Sequence, residues 1–186
     1  MESSLIIAGF GGQGIISAGQ ILAKAFMLEG LEITWLPAYG AEMRGGTVNC
    51  TLSFSDDEVA SAYIEEPDTV IAMNLPSFER FEKSIKPGGL MIANSSLINT
   101  KMTRKDIEYY YIPLSGIANE IGNIKTANMA ALGAFVALRP FIKPENVRTV
   151  IDETFSLNKK AFVEVNIKAF NAGLEKVRSE ELGVRN

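Results

Sequence analysis

The chain has 186 residues, of which 47% are hydrophobic, and a formal net charge of −4. This length and composition fit one α/β domain with a well-buried core, and we expect it to span residues 1–178, followed by a frayed tail at residues 179–186. With no histidine and one cysteine, the sequence excludes a self-held Fe–S cluster, a structural zinc site and any catalytic triad that needs a histidine base.

Charge and hydropathy also bear on partners and location. The sequence has no basic cluster, which argues against binding to nucleic acid. No apolar run approaches the roughly 18 residues of a membrane span, and Met1-Glu2-Ser3-Ser4 leads into a strand pattern without a positively charged leader. We therefore expect a cytoplasmic protein that does not bind membranes.

The strongest local signal is Gly9-Phe10-Gly11-Gly12-Gln13-Gly14, between the apolar run Leu5–Ala8 and the helical pattern Ile15–Leu28. A strand that turns through glycines into a helix directs unpaired N–H groups and the positive end of the helix dipole at one place, which favours a phosphate or carboxylate there. The Gln13 side chain can hydrogen-bond a ligand or a partner, or fold over its own loop. A tight turn that binds nothing is the structural alternative.

The following patterns alternate between strands and helices, and the last third is helical. Alternating apolar residues in Thr47–Phe54 predict a half-buried strand near a sheet edge, with Cys50 in the core. Ser77 and Thr126 can cap helices, and Pro144 suits a first helical position. We predict strands at Leu5–Ala8, Glu32–Leu36, Thr47–Phe54, Thr69–Met73, Leu90–Ala93 and Tyr109–Pro113, and helices at Ile15–Leu28, Ser77–Ile85, Ser115–Ile121, Ala127–Arg139, from Pro144 onward, and Asn158–Val177.

These elements predict a three-layer α/β/α sandwich with a Rossmann-like start and a helical C-terminal third. We expect a mostly parallel sheet with some antiparallel pairing. Asn128 and Asn166 are polar residues on otherwise apolar helical segments, and we expect local structural hydrogen bonds for both.

A second glycine-rich segment follows one βαβ unit later, at Tyr39–Thr47. It carries Glu42 and Arg44 between Gly40 and the pair Gly45-Gly46, so little local side-chain bulk covers the two charges. This arrangement favours a binding surface. An exposed ion pair of about 0–1 kcal/mol is the alternative.

Gly9, Gly11 and Gly14 also satisfy the G-x-G-x-x-G pattern of dinucleotide sites. That pattern requires an acidic residue at the end of the second strand to hold the ribose hydroxyls. Here the strand ends Trp35-Leu36-Pro37-Ala38, which weakens the NAD or FAD hypothesis.

Five blocks in this order and spacing resemble the gamma subunit of 2-oxoacid:ferredoxin oxidoreductases, over nearly the whole chain. The chain length and the sequence Ala-Glu-Met-Arg-Gly-Gly are most like those of the 2-oxoglutarate type. The 2-oxoisovalerate and pyruvate types are the nearest alternatives. The blocks are Gly9–Gly14, Tyr39–Gly46, Lys86-Pro87-Gly88-Gly89, Asn128–Gly133 and Asn166–Gly173.

The resemblance implies a multi-subunit enzyme that decarboxylates a 2-oxoacid on thiamine diphosphate and Mg, passes electrons through Fe–S clusters to ferredoxin, and transfers the acyl group to coenzyme A. This chain lacks the cysteines of a cluster and the Gly-Asp-Gly pattern of thiamine enzymes. The resemblance therefore assigns those cofactors to alpha, beta and delta subunits or to other domains of a fused polypeptide. It leaves this chain the role of completing the site, without a catalytic residue or metal ligand of its own.

On this reading the two glycine-rich segments lie on one face and complete either the approach of coenzyme A or the interface with the thiamine-binding subunits. Two alternatives remain: a free-standing Rossmann-type nucleotide-binding protein or oxidoreductase, and a purely structural docking subunit. The predicted cofactor-binding residues are Gly9, Gly11, Gly12, Gln13, Gly14, Glu42, Arg44, Gly45, Gly46 and Thr47.

Overall fold

The computed structural model describes residues 2–39, 47–59, 61, 63–156 and 160–184. The strands are β1 (Glu2–Phe10), β2 (Glu32–Tyr39), β3 (Thr47–Ser55), β4 (Thr69–Ala72), β5 (Leu90–Asn94) and β6 (Glu108–Ile112). The helices are α1 (Ile15–Leu28), α2 (Leu75–Phe81), α3 (Leu114–Ile121), α4 (Ala127–Leu138), α5 (Pro144–Phe155) and α6 (Lys160–Val184). Short 3₁₀ turns lie at Glu82–Ser84 and Ile124–Thr126.

The six strands form one mixed sheet in the order β2-β3-β1-β4-β5-β6. β3 runs antiparallel to both of its neighbours, whereas β1, β4, β5 and β6 pair in parallel. The predicted α/β class and the mostly parallel sheet with some antiparallel pairing are therefore confirmed.

Side chains of alternating direction along the strands supply two cores, one on each face of the sheet. On one face, Leu5 and Ile7 of β1 belong to a large buried cluster with α1, α4, α5 and α6. On the other, Ile6 and Ala8 pack in a smaller cluster with Phe78 of α2. The three layers predicted from the sequence are present, with most of the helices on the first face.

Helix α1 has the predicted bounds because its apolar residues recur at helical spacing and are buried on one side. Gly30 follows its last turn with a φ of 81°. The Gly30 N–H donates to the carbonyl of Met27, and the Leu31 N–H donates to that of Phe26. This pattern ends the helix as predicted.

Helices α4 and α6 pack backbone against backbone through two glycines. Gly133 of α4 faces the backbone of Phe170, and Gly173 of α6 faces the backbone of Ala130. A Cβ at either glycine would overlap the facing carbonyl oxygen. Both glycines lie in blocks of the family resemblance, and the contact gives a physical reason for them.

Some predicted boundaries are wrong. β2 does not stop at Leu36 but continues through Pro37, which pairs with Cys50, to Tyr39. β2 is an edge strand, where proline is tolerated because one side of the strand has no ladder partner. α6 extends to Val184, past the predicted end at Val177, over a glutamate- and leucine-containing segment that favours helix. The domain boundary at residue 178 stays a prediction.

Two predicted helix caps are also wrong. The amide oxygen of Asn74, rather than Ser77, caps α2 by accepting from the Ser77 N–H at 2.9 Å. The Thr126 side chain does not cap α4, because its hydroxyl donates to the carbonyl of Asn123 at 2.8 Å. At α2 a nearby asparagine thus supplies the cap expected of the serine, whereas α4 has no side-chain cap at Thr126.

Cys50 is buried in the core, as predicted. Burial raises the pKa of its thiol to about 12, and the thiol donates to the Ile15 carbonyl at 3.6 Å. The sulfur packs against Gly19 of α1, where a Cβ would come within 2.5 Å of it. A thiol in this setting is a packing group and not a nucleophile.

Glu82 fastens the segment before β6 onto the second face of the sheet. One oxygen of its carboxylate accepts from the Thr103 N–H at 2.8 Å and from the Tyr109 hydroxyl at 2.7 Å. Burial opposes the charged form, but these hydrogen bonds outweigh it and lower the pKa of Glu82. This cluster stabilises the second face rather than the candidate site described next.

Within the described ranges, no helix is both long enough and apolar enough to cross a membrane.

Candidate functional site

The glycine-rich stretch Gly9–Gly14 connects β1 to α1 at the carboxyl end of β1. From β1 the chain passes to α1 on one face of the sheet, and from the neighbouring β4 it passes to α2 on the other face. Ligands of open α/β sheets bind at such a switch point, outside the carboxyl ends of the strands. The fold therefore places the predicted anion-binding loop at a location suited to a ligand.

Two glycines of the loop are required by their surroundings. Gly14, at the N-cap of α1, has a φ of 70°, and a Cβ there would collide with the side chain of Asn128. Gly9 is buried, and a Cβ there would lie 2.5 Å from Oε1 of Gln13 and 3.0 Å from Cβ of Met73. Gly11 and Gly12 are exposed, and a Cβ at either would meet no atom within 4 Å, although Gly12 also has a positive φ, of 91°.

The side chain of Gln13 folds over its own loop. Its Oε1 accepts from the Phe10 N–H at 2.6 Å, and its Nε2 donates to the Met73 carbonyl at 3.3 Å. Gln13 thereby joins the ends of β1 and β4 across the switch point. The alternative in which Gln13 folds over its own loop therefore accounts for its main hydrogen bonds. The side chain is half-buried and also borders a cleft.

A cleft of about 340 Å³ opens beside the loop, and we call it the glycine-loop cleft. Its walls include residues just before or within the first turns of α1, α3 and α4, so three positive helix ends lie beside it. Among the described residues that line it, Lys125 alone carries a charge. The walls include Gly12, Gln13, Ser96, Ser115, Asn119 and Lys125.

The second glycine-rich segment is only partly visible at this site. Glu42, Arg44, Gly45 and Gly46 lie outside the described residues. Thr47, which opens β3, pairs with Phe10 of the first loop. β2 therefore ends, and β3 begins, at the end of the sheet where the first loop lies.

Asn128 and Asn166 differ in the hydrogen-bond partners of their side-chain amides. Asn166 is bonded locally, from its Nδ2 to the Phe162 carbonyl at 2.7 Å, as expected. Asn128 is also bonded locally, because its Oδ1 accepts from the Met129 N–H at 3.0 Å. Its Nδ2 makes a further bond that was not expected, to the Gly14 carbonyl at 3.0 Å, more than a hundred residues away in sequence.

Residues 4–176 match the model of the pyruvate ferredoxin/flavodoxin oxidoreductase family. The chain belongs to this family. Its recognition from the sequence blocks is thereby confirmed.

Individual family members show what this chain is similar to. It is 36% identical to the ketoisovalerate oxidoreductase subunit VorA of Methanothermobacter marburgensis over 95% of this chain and 37% of that protein. It is 30% identical in sequence to the gamma subunit of a keto/oxoacid ferredoxin oxidoreductase from Geobacter sulfurreducens. The match to the crystal structure of that subunit covers 95% of this chain and 99% of that one, with a TM-score of 0.80.

A third relative is the 2-oxoglutarate:ferredoxin oxidoreductase of Magnetococcus marinus, solved with 2-oxoglutarate, coenzyme A and succinyl-CoA bound. The match has a TM-score of 0.88 at 26% identity and covers 96% of this chain and 31% of that one. The chain thus spans about a third of the length of VorA and of the Magnetococcus chain, and nearly all of the Geobacter gamma subunit.

Sequence reasoning missed two polar residues at the candidate site, Asn74 and Asn94. Asn74 donates from Nδ2 to Oε1 of Gln13 at 3.4 Å, and Asn94 donates from Nδ2 to the Met73 carbonyl at 3.3 Å. Each follows or ends an apolar parallel strand, at β4 and β5. An amide at the carboxyl end of a buried parallel strand was the signal that could have revealed them.

Proposed function

We propose that the chain is the gamma subunit of a 2-oxoacid:ferredoxin oxidoreductase whose substrate is 2-oxoglutarate, and that it completes a site whose chemistry other subunits supply. The observation that carries the gamma-subunit part of the proposal is the family match over residues 4–176, together with the near-complete overlap with a gamma subunit from Geobacter sulfurreducens. The enzyme as a whole would oxidatively decarboxylate the 2-oxoacid to an acyl-CoA.

The composition of the chain supports a dependent role. One buried cysteine and no histidine leave it without ligands for an Fe–S cluster. Thiamine diphosphate, Mg and the Fe–S clusters would be held by alpha, beta and delta subunits, and ferredoxin would bind to the assembled complex in the cytoplasm.

Coenzyme A is the ligand that best suits the glycine-loop cleft. Its phosphates are anionic, and the cleft combines three positive helix ends with the ammonium group of Lys125. In the Magnetococcus enzyme, coenzyme A is one of the bound molecules. We propose that the predicted residues Gly9, Gly11, Gly12, Gln13 and Gly14 frame this cleft.

The second glycine-rich segment would close the same site. It departs from β2 and returns at Thr47, beside Phe10. Its guanidinium, Arg44, would pair with a phosphate of coenzyme A or with a carboxylate of a partner subunit, since its planar fork suits either group. Glu42, Gly45 and Gly46 belong to this part of the proposal.

The dinucleotide alternative is disfavoured by strand order. In a Rossmann fold β2 lies next to β1, but here β3 separates them. The end of β2 is therefore two strand spacings from the loop, roughly 10 Å instead of about 5 Å. The last residues of β2, Pro37, Ala38 and Tyr39, also supply no carboxylate for a ribose.

The purely structural alternative has its own supporting feature. The face of β2 and β3 opposite the main core carries a groove of about 410 Å³, bordered by Leu36, Tyr63 and Arg80. Leu36 and Tyr63 are 45% and 71% exposed. A subunit that only docks would use such a surface and would not need the glycine-loop cleft.

Replacing Arg44 by alanine separates these possibilities in the complex reconstituted from all subunits. Loss of a charge-assisted hydrogen bond to phosphate is expected to raise the KM for coenzyme A by about tenfold or more. The assay is reduction of ferredoxin or viologen, run with 2-oxoglutarate, 2-oxoisovalerate and pyruvate. Arg178→Ala, at an exposed arginine of α6, is the matched control and should leave the KM unchanged.

Unchanged assembly, KM and turnover in the Arg44→Ala complex would reject the ligand role of this residue. Weaker assembly with normal activity per assembled complex would favour the structural docking subunit. A preference for 2-oxoisovalerate or pyruvate would correct the substrate while leaving the family role intact.

A further inference from the structure

A buried amide, Asn94, lies behind the wall of the glycine-loop cleft. Its side chain is fully buried at the end of β5. Its Nδ2 donates to Oγ of Ser115 at 2.9 Å and to the Met73 carbonyl at 3.3 Å. Its Oδ1 accepts from the Ser115 N–H at 3.2 Å. Both ends of the Asn94 amide are thus used, and two of the three bonds hold Ser115.

Ser115 connects this amide to the cleft. It is the second residue of α3, is 8% exposed, and forms part of the cleft wall. The bonds from Asn94 fix both its backbone N–H and its hydroxyl oxygen. The start of α3 is therefore held to the end of β5 by a side chain that does not itself reach the cleft.

The Met73 carbonyl, which accepts a hydrogen bond from Asn94, also accepts one from the glycine loop. The Met73 carbonyl accepts from Nδ2 of Asn94 and from Nε2 of Gln13, both at 3.3 Å. A continuous chain of hydrogen bonds therefore runs from Phe10 through Gln13, the Met73 carbonyl and Asn94 to Ser115, and we call it the amide chain. It links two parts of the cleft wall, at Gln13 and at Ser115.

We propose that Asn94 is a positioning residue that sets the spacing between the glycine loop and the start of α3, and so determines how tightly the glycine-loop cleft holds the phosphates of coenzyme A. This inference rests on the proposed function. Its physical basis is that hydrogen bonds to a ligand form only over a narrow range of distances, about 2.7–3.2 Å between nitrogen and oxygen, so a displaced wall loses them. A satisfied amide network gives such a wall one defined geometry.

The test is Asn94→Ala in the complete reconstituted complex, with the KM for coenzyme A and the turnover number measured separately. Loss of the amide releases Ser115, so the KM is expected to rise by about tenfold while turnover at saturating coenzyme A stays within about twofold. The matched control is Asn166→Ala, which removes another buried asparagine that is not among the described residues of the cleft wall and bonds within its own helix. Both variants should lower the melting temperature, but only Asn94→Ala should change the KM.

Two variants of Ser115 provide a second test if the complex that carries Asn94→Ala does not assemble. Ser115→Ala removes the hydroxyl that accepts from Asn94, whereas Ser115→Thr keeps an oxygen at that position. We expect the alanine variant to raise the KM for coenzyme A and the threonine variant to restore it. Equal KM values for the two variants would overturn the positioning role.

Lys125→Ala distinguishes failure of this inference from failure of the proposed ligand site. If Lys125→Ala raises the KM while Asn94→Ala does not, coenzyme A uses the cleft and the positioning role is wrong. If neither variant changes the KM, the cleft does not bind coenzyme A, and the inference falls with that part of the proposed function.

Discussion

Gly133→Ala is expected to destabilise the fold strongly, although it adds only one methyl group. The added Cβ would overlap the Phe170 carbonyl, and both partners are backbone atoms of packed helices, so no side chain can rotate away. α4 and α6 would have to separate, with loss of packing around the fully buried Phe170. We expect the free energy of unfolding to fall by more than about 3 kcal/mol, measured by urea denaturation.

Gly116→Ala is the matched control for this prediction. Gly116 lies within α3, and its Cβ would meet its nearest neighbours at 3.5 Å, an ordinary contact. Alanine is a better helix former than glycine, so the control should be neutral or stabilising by up to about 1 kcal/mol. Equal stability of the two variants would show that α4 and α6 do not meet through Gly133.

Gly14→Ala is expected to have the largest effect on coenzyme A binding. The residue has a φ of 70°, and its added Cβ would displace the Asn128 side chain that holds the Gly14 carbonyl. The first turn of α1 and the loop before it would both shift. In the reconstituted complex we expect kcat/KM for coenzyme A to fall by about a hundredfold.

Gly30→Ala controls for backbone strain alone. Gly30 also has a positive φ, of 81°, but its Cβ would meet no atom within 4 Å. It should cost about 1 kcal/mol of stability and leave kcat/KM unchanged. A Gly14→Ala complex with normal kcat/KM would contradict a ligand role for the glycine loop.

The parts of the fold predicted from sequence are those fixed by local patterns. Helix α1 has its predicted bounds, Ile15–Leu28, because its apolar stripe and Gly30 are both local signals. Cys50 lies in the core because the alternation within β3 marks one face of a strand. The buried strands β4 and β5 were likewise recognisable as short apolar runs.

Features that depend on long-range pairing were not predictable in this way. The insertion of β3 between β1 and β2 is set by strand pairing and not by any local pattern. The extension of β2 through Pro37 follows from its edge position, which only the sheet order reveals. Asn128 reaches Gly14 across the fold, and Asn94 contacts Ser115 through tertiary packing. The glycine-loop side of the candidate cleft was therefore predicted from the sequence, whereas the part of its wall at the start of α3 was not.

The dependent role of this chain is tested most simply by comparing 2-oxoacid oxidation by the purified chain alone, by the partner subunits alone and by the complex reconstituted from all of them. Ferredoxin or viologen reduction is followed with 2-oxoglutarate and coenzyme A present. We expect full activity only from the reconstituted complex, because in the proposed function this chain completes a site whose redox groups are held by its partners. Oxidation of the 2-oxoacid by the purified chain alone would contradict that role.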